Sequence, residues 1–201
     1  SAPMGLLRMT AAVAYGERFI VPLVNDFMTQ HPQLRVDIEL SNRTLDLVQE
    51  GYDLAIRLGR LSESRLVATR IAPRAMYLCA APAYLERYGR PHTLSELAQH
   101  NCLVGTGDTW MFQVEGREQP FKPSGNWRCN SGQAVLDATL RGFGLCQLPD
   151  YYVREPLRRG ERMRQFAESD RGRRVAHDVE GVEYRHPRGL PVRRPARHQR
   201  Q

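Results

Sequence analysis

The chain has 201 residues, 41% of them hydrophobic, so it can bury one larger core or the cores of two small lobes. Its formal charge of +7 is unevenly spread: residues 1–157 hold 16 basic and 16 acidic side chains, while residues 158–201 hold 13 arginines against 6 acids. A neutral body with an arginine-rich end lacks the basic patch on a recognisable motif that a folded nucleic-acid reader presents. The absence of any apolar run of roughly eighteen residues excludes a helical membrane span. No charged-then-apolar leader opens the chain. Cys79, Cys102, Cys129 and Cys146 form no CxxC pair and sit in apolar segments. They read as free thiols in a reducing cytoplasm, with no metal site and no cofactor expected.

Leu6–Thr10 reads as a first strand, followed by a helix from about Glu17 to Gln30 with Ile20, Leu23, Val24 and Phe27 on one face. Phe19, Val21 and Met28 add a second apolar edge, more than one packing partner requires. Pro22 needs the first turn or a kink, and His31-Pro32 stops the helix. "LRVDIEL" (Leu34–Leu40) alternates strictly, as a strand with one face to solvent or a partner does. Leu45–Glu50 reads as a short helix closed by Gly51. "YDLAIRLG" then gives an apolar strand with Arg57 inside it.

Met76–Ala80 is a further strand, "APAYLERYG" a short helix, and Thr93 with Glu96 a capping box. Trp110–Glu115 and Gly125–Cys129 read as strands of a second unit. Asn130 and Ser131 offer N-caps to a helix running to Arg141 and closed by Gly142, and Leu145–Pro149 is a buried strand. Strands alternating with helices imply right-handed crossovers and a mostly parallel sheet covered by helices. Two such units suggest a cleft between lobes, with ligands held beyond strand ends and near helix N-termini. Three loops qualify: Ala11–Gly16, Ser41–Thr44 and Asn130–Gly132. Arg57, near the end of its strand, points towards the same place. A buried guanidinium needs acceptors, so a structural reading stands beside the functional one: Arg57 pairs with an Asp or donates to backbone carbonyls. Ser41 and Ser131 could likewise serve only as helix caps. His92, His100 and Cys102 lack ligand spacing, and "NRT" at Asn42–Thr44 is a glycosylation sequon that matters only on a secretory route.

The blocks "GLLRMTAAVAYGERFIVPLVNDFMTQHPQLRVDIELSNRTLDLVQEGYDLAIRLG", "LCAAPAYLERYG" and "NSGQAVLDATLRGFGLCQLPDYYV", in this order and spacing, resemble the effector-binding domain of LysR-type bacterial transcriptional regulators. The resemblance implies an α/β, two-lobed type II periplasmic-binding-protein-like fold, each lobe a mostly parallel sheet flanked by helices. It places lobe I at residues 1–80, with part of 170–201 returning to it, lobe II at 81–165, and an atypical tail at 166–201. It implies a small-molecule effector between the lobes, and carries the effector pocket onto Ala12, Val13, Ala14, Ser41, Asn42, Arg57, Gly59, Asn130 and Ser131. A loop set of Ala, Val and Ser with one Arg suits a small organic anion or a modest aromatic compound. The resemblance further implies a homodimer, a tetramer in the full-length regulator, and DNA binding only through a winged helix-turn-helix that precedes this chain. The surplus apolar residues on the first helix and the alternating second strand offer surfaces for that pairing.

Arg158–Gln201 departs from the pattern, because only Val182–Val192 reads as a strand and no amphipathic helix can be built after it. A reading-frame shift in GC-rich coding DNA would produce such sequence; a divergent, disordered tail is the alternative. Two other functions compete with effector sensing. A periplasmic solute-binding protein of a transporter shares the fold but needs an export signal. An enzyme is not expected, since G-x-S-x-G, H-E-x-x-H, P-loop and GxGxxG motifs are all absent. Lacking the helix-turn-helix, the chain alone is expected to hold DNA only loosely, through salt-sensitive phosphate contacts of its tail.

Overall fold

The structure is a computed structural model that describes residues 3–43, 45–58, 67–159, 163–165 and 177–184. Lobe I begins with β1 (Gly5–Ala11), whose parallel neighbours are β2 (Leu34–Leu40) and β3 (Leu54–Leu58). Alternation along these strands decides what each face packs. Met9, Ala11 and Ile56 meet Ile20 on one side, while Ala55 meets Leu45, Leu47 and Tyr52 on the other. The sheet is therefore covered on both faces at β3, as a buried parallel strand requires, while β2 keeps Arg35, Asp37 and Glu39 exposed on one face.

The first helix starts earlier than its apolar spacing suggests. It comprises α1 (Val13–Tyr15), a π-helical turn (Gly16–Ile20) and α2 (Val21–Gln30). Pro22 sits in the first turn of α2, just after the π turn, so its missing N–H falls where the backbone ladder is already rearranged. Gly16 is required by close approach: a Cβ there would lie 2.5 Å from the Leu40 side chain. The expected helix at Leu45–Glu50 is instead a turn. Asp46 Oδ1 accepts from the amides of Val48 (3.0 Å) and Gln49 (3.1 Å), a local alternative to the helical ladder. Gly51 closes it at φ 73°, the conformation its glycine supplies.

Strand β4 (Val67–Ala80) is far longer than the expected Met76–Ala80. Its first part pairs antiparallel with β9 (His177–Tyr184), which also pairs with β3. Its last part pairs antiparallel with β7 (Cys146–Pro149) and β8 (Arg164–Gln165). Of the strand expected at Val182–Val192, Val182–Tyr184 lie in β9; residues 166–176 and 185–201 fall outside the described residues, as do both readings of the tail's origin.

Lobe II adds α3 (Pro82–Tyr88), α4 (Leu94–Leu97), a hairpin of β5 (Trp110–Val114) and β6 (Arg117–Phe121), α5 (Gly132–Leu140) and α6 (Asp150–Arg159). Thr93 caps α4 by accepting from the Glu96 amide, but the Glu96 carboxylate reaches the amide of His92 rather than that of Thr93. Gly125–Cys129 is an extended segment rather than a full strand, tied in parallel through Val104 and Arg128. Glu115 and Gly116, both at positive φ, make the tight turn of the hairpin. One core gathers Leu78, Tyr84, Leu97, Trp110 and Phe112; another gathers Leu103, Val135, Leu136, Leu148, Val153 and Met163.

The cysteines are all free. Burial raises the thiol pKa of Cys79 far above its ordinary value, that of Cys146 to about 12 and that of Cys102 to about 11. Cys129 is only partly buried. Because the thiolate is the reactive form, Cys129 alone should react readily with a thiol reagent in the native protein, and all four after unfolding. Rapid native labelling of Cys79, Cys102 or Cys146, read by peptide mass spectrometry, would contradict this packing.

Candidate functional site

A cavity of about 450 Å³ opens where β4 passes from one lobe to the other. The volume lies in the range of small-molecule sites. Lobe I supplies its first wall from the loop after β1 (Ala12, Ala14, Tyr15), the loop after β2 (Ser41, Asn42, Arg43) and the end of β3 (Arg57, Leu58). Lobe II supplies Gly105–Gly107, Thr109, Trp110, Asn130, Gly132, Tyr151 and Tyr152, with Arg74 and Met76 on β4 between them. Arg43, Arg57 and Arg74 line it, and among the described residues no carboxylate does.

Six of the expected positions line this cavity: Ala12, Ala14, Ser41, Asn42, Arg57 and Asn130. Arg57 lies at the rim of the buried strand, where its Nη1 donates to the carbonyls of Ser41 and Arg43, each at 3.2 Å. It therefore braces the loop after β2 through backbone acceptors while facing the cavity. Val13 and Ser131 lie off the lining. The Val13 amide is occupied by the Asn42 side chain at 3.0 Å, and Ser131 Oγ caps α5 by accepting from the Ala134 amide at 3.4 Å. Ser41 Oγ accepts from the Arg43 amide at 3.2 Å, shaping its own loop. Gly59 lies outside the described residues.

Asn42 joins the two walls of the cavity. Its Oδ1 accepts from Val13 N, and its Nδ2 donates to the Asn130 carbonyl at 2.8 Å, across the cleft. Thr106 Oγ1 donates to the same carbonyl at 3.1 Å. A second crossing lies at Arg18, whose Nη1 donates to the Tyr151 carbonyl at 2.6 Å. Tyr15, Phe19 and Tyr151 stack around it, with ring centroids 4.9–6.0 Å apart.

Sequence reasoning did not nominate Tyr151, Tyr152 or the Gly105–Gly107 loop. Gly132, in the expected Asn130–Gly132 loop, is where a Cβ would lie 2.5 Å from the Tyr152 ring. Glycine thus lets α5 begin against the aromatic wall. Burial raises the Tyr152 hydroxyl pKa to about 12, so it enters the cavity as a neutral hydroxyl.

A larger depression of about 700 Å³ lies on the flank of lobe II, between Tyr84, Tyr88, Arg90, His100, Asn101 and Phe143. Its polar groups are engaged in holding lobe II together. Asn101 Nδ2 donates to Asn126 Oδ1 (2.9 Å) and the Phe143 carbonyl (2.7 Å), and the Asn101 amide donates to Tyr84 Oη (3.0 Å). The Tyr84 hydroxyl also lies in hydrogen-bonding contact with His100 Nδ1, 3.1 Å away, and burial lowers the His100 pKa. The interlobe cavity, where three loops and two lobes converge, is the better candidate. Among the described residues no group of His, Cys, Asp and Glu is placed to hold a metal ion, and no helix is long and apolar enough to cross a membrane.

Residues 1–177 match the family profile described as the LysR substrate binding domain. The chain is 31% identical, over 197 residues, to an uncharacterized HTH-type transcriptional regulator of Haemophilus influenzae, covering 96% of this chain and 67% of that protein. It is 33% identical over 171 residues to the HTH-type transcriptional activator TtdR of Escherichia coli, covering 83% of this chain and 55% of TtdR. Among solved structures, full-length AphB of Vibrio cholerae superposes with a TM-score of 0.74 at 27% identity, over 92% of this chain and 63% of AphB. The CrgA regulatory domain of Neisseria meningitidis superposes with a TM-score of 0.68 at 26% identity, over 90% of this chain and 89% of that domain. The chain thus spans little more than half the length of TtdR.

Proposed function

The chain belongs to the LysR substrate binding domain family, and from that premise we propose that its interlobe cavity binds a small organic anion whose occupancy alters DNA binding by the regulator that carries it. The observation that carries this reading is the lining itself: three guanidinium groups, no described carboxylate, and aromatic walls from Tyr15, Trp110, Tyr151 and Tyr152. Arginine recognises carboxylates through its forked donors. An anion entering here meets cations that the fold has already placed, and a preformed site spends less of its binding energy on ordering side chains.

The domain does no chemistry on its ligand in this reading. The effector acts by binding one arrangement of the lobes better than another, since only differential affinity shifts an equilibrium. The matched relatives are HTH-type regulators, which favours this over a transport receptor or an enzyme on the same scaffold, and a regulator of this family is typically cytoplasmic. Sequence-specific DNA contact would come from a helix-turn-helix elsewhere in the regulator.

A screen of small carboxylates by thermal shift tests the reading, because a ligand bound only by the folded state raises its stability. At least one organic anion should raise the melting temperature, and Arg57→Ala should remove most of that rise while remaining folded. Loss of the two carbonyl contacts should itself destabilise the variant by about 1–3 kcal/mol. An anion that stabilises Arg57→Ala as much as wild type would assign Arg57 to bracing the loop alone.

The same premise bears on assembly. Phe19, Leu23 and Phe27 on the first helix are 41%, 65% and 45% exposed. Beside them β2 is an edge strand, paired among the described residues only with β1. We expect this helix and edge to form an isologous two-fold interface with α5 of a second copy. Phe27→Asp combined with Leu23→Asp should convert a dimer to a monomer in light scattering at roughly tens of micromolar, a concentration at which a moderately tight pair assembles. A wild-type monomer at that concentration would overturn the expectation.

A further inference from the structure

We propose that Asn42 and Arg18 form a clasp, built wholly from protein groups, that holds the two lobes closed over the cavity. The orientation of the Asn42 carboxamide is fixed by its partners. Val13 offers only an N–H and Asn130 only a carbonyl, so Oδ1 must face the first and Nδ2 the second. A flipped amide would set donor against donor and acceptor against acceptor. The Asn130 carbonyl is also held in place by Thr106 from within lobe II. Asn42 is thus the element that reaches across, and its two ends bind different lobes.

Arg18 repeats the arrangement on another element. Its guanidinium donates to the Tyr151 carbonyl and lies 5.7 Å from the centre of the Phe19 ring, beside the Tyr15, Phe19 and Tyr151 cluster. In both crossings the donor is a lobe I side chain and the acceptor a lobe II backbone carbonyl. No side-chain substitution in lobe II can remove those acceptors, so control of the clasp rests with Asn42 and Arg18. Both carbonyls belong to residues that line the cavity. The clasp therefore sets the baseline lobe equilibrium against which any ligand must act.

This inference adds to the effector reading but does not need an effector to be tested, so each can fail separately. Asn42→Asp keeps an oxygen for the Val13 amide while placing a second oxygen against the Asn130 carbonyl. A residue that only shapes its own loop would tolerate that change; a cross-cleft donor would not. In size-exclusion-coupled X-ray scattering of the full chain, without added ligand, Asn42→Asp should show a larger radius of gyration than wild type. Adding Arg18→Met should enlarge it further. Circular dichroism and the molar mass from the same run establish that fold and oligomeric state are unchanged; should Asn42→Asp fail to fold, Asn42→Ala carries the same test. A folded double variant, in the wild-type oligomeric state and with the wild-type scattering profile, would overturn the clasp.

Discussion

Strand β4 carries the backbone ladders of both lobes: Val67–Ala75 pair with β9, and Met76–Cys79 pair with β7. The changeover between Ala75 and Met76 is the place where the protein passes from one sheet to the other without a break in hydrogen bonding. Because backbone groups need partners wherever they are buried, this strand cannot slide relative to either sheet. The lobes keep a fixed register at that point. Arg74 and Met76, on either side of the changeover, line the cavity, which therefore lies at the junction of the two lobes.

The remaining elements are arranged around that axis. Parallel pairing of β1 with β2 and β3 delivers three strand ends, and the loops beyond them, to one edge of lobe I. On the facing side, Ser131 starts α5 and the close fit of Gly132 to Tyr152 brings α6 against it. Two of the cavity's arginines do different work. Arg57 is spent partly on the carbonyls that give the Ser41–Arg43 loop its form, whereas Arg43 is exposed at the loop itself. A single residue type thus serves both the shape of the site and its charge, which is why stability and binding must be read separately in any Arg57 variant.

Much of lobe I was legible from periodicity. The alternation of Leu34–Leu40 and the apolar run around Ala55 and Ile56 report burial on one face or two, and burial is what those patterns encode. Caps were equally readable, since Thr93 and Ser131 act through local geometry. What escaped is what tertiary structure decides. The long β4 is broken in sequence by Arg70, Pro73 and Arg74, yet pairing with β9 carries it through. Strand β6 is exposed and contains Pro120, an edge-strand residue that carries no apolar signal. Helix α6 holds Pro156 and an excess of arginine, and nothing local marks Tyr151 or Tyr152 as walls of a cavity. The loops that hold the six lining positions were legible from strand ends and helix N-termini and were narrowed to single residues by a family likeness, whereas the lobe II aromatics required the fold.

The central claim is that an organic anion binds between the lobes rather than on the flank of lobe II. Backbone amide shifts in a two-dimensional ¹H–¹⁵N NMR titration with a stabilising carboxylate address it residue by residue. Binding between the lobes should give the largest changes at Val13, Asn42, Arg57 and Thr106, which line or brace the interlobe cavity. Changes confined to Tyr88, Arg90, His100 and Phe143, around the larger flank depression, would contradict it.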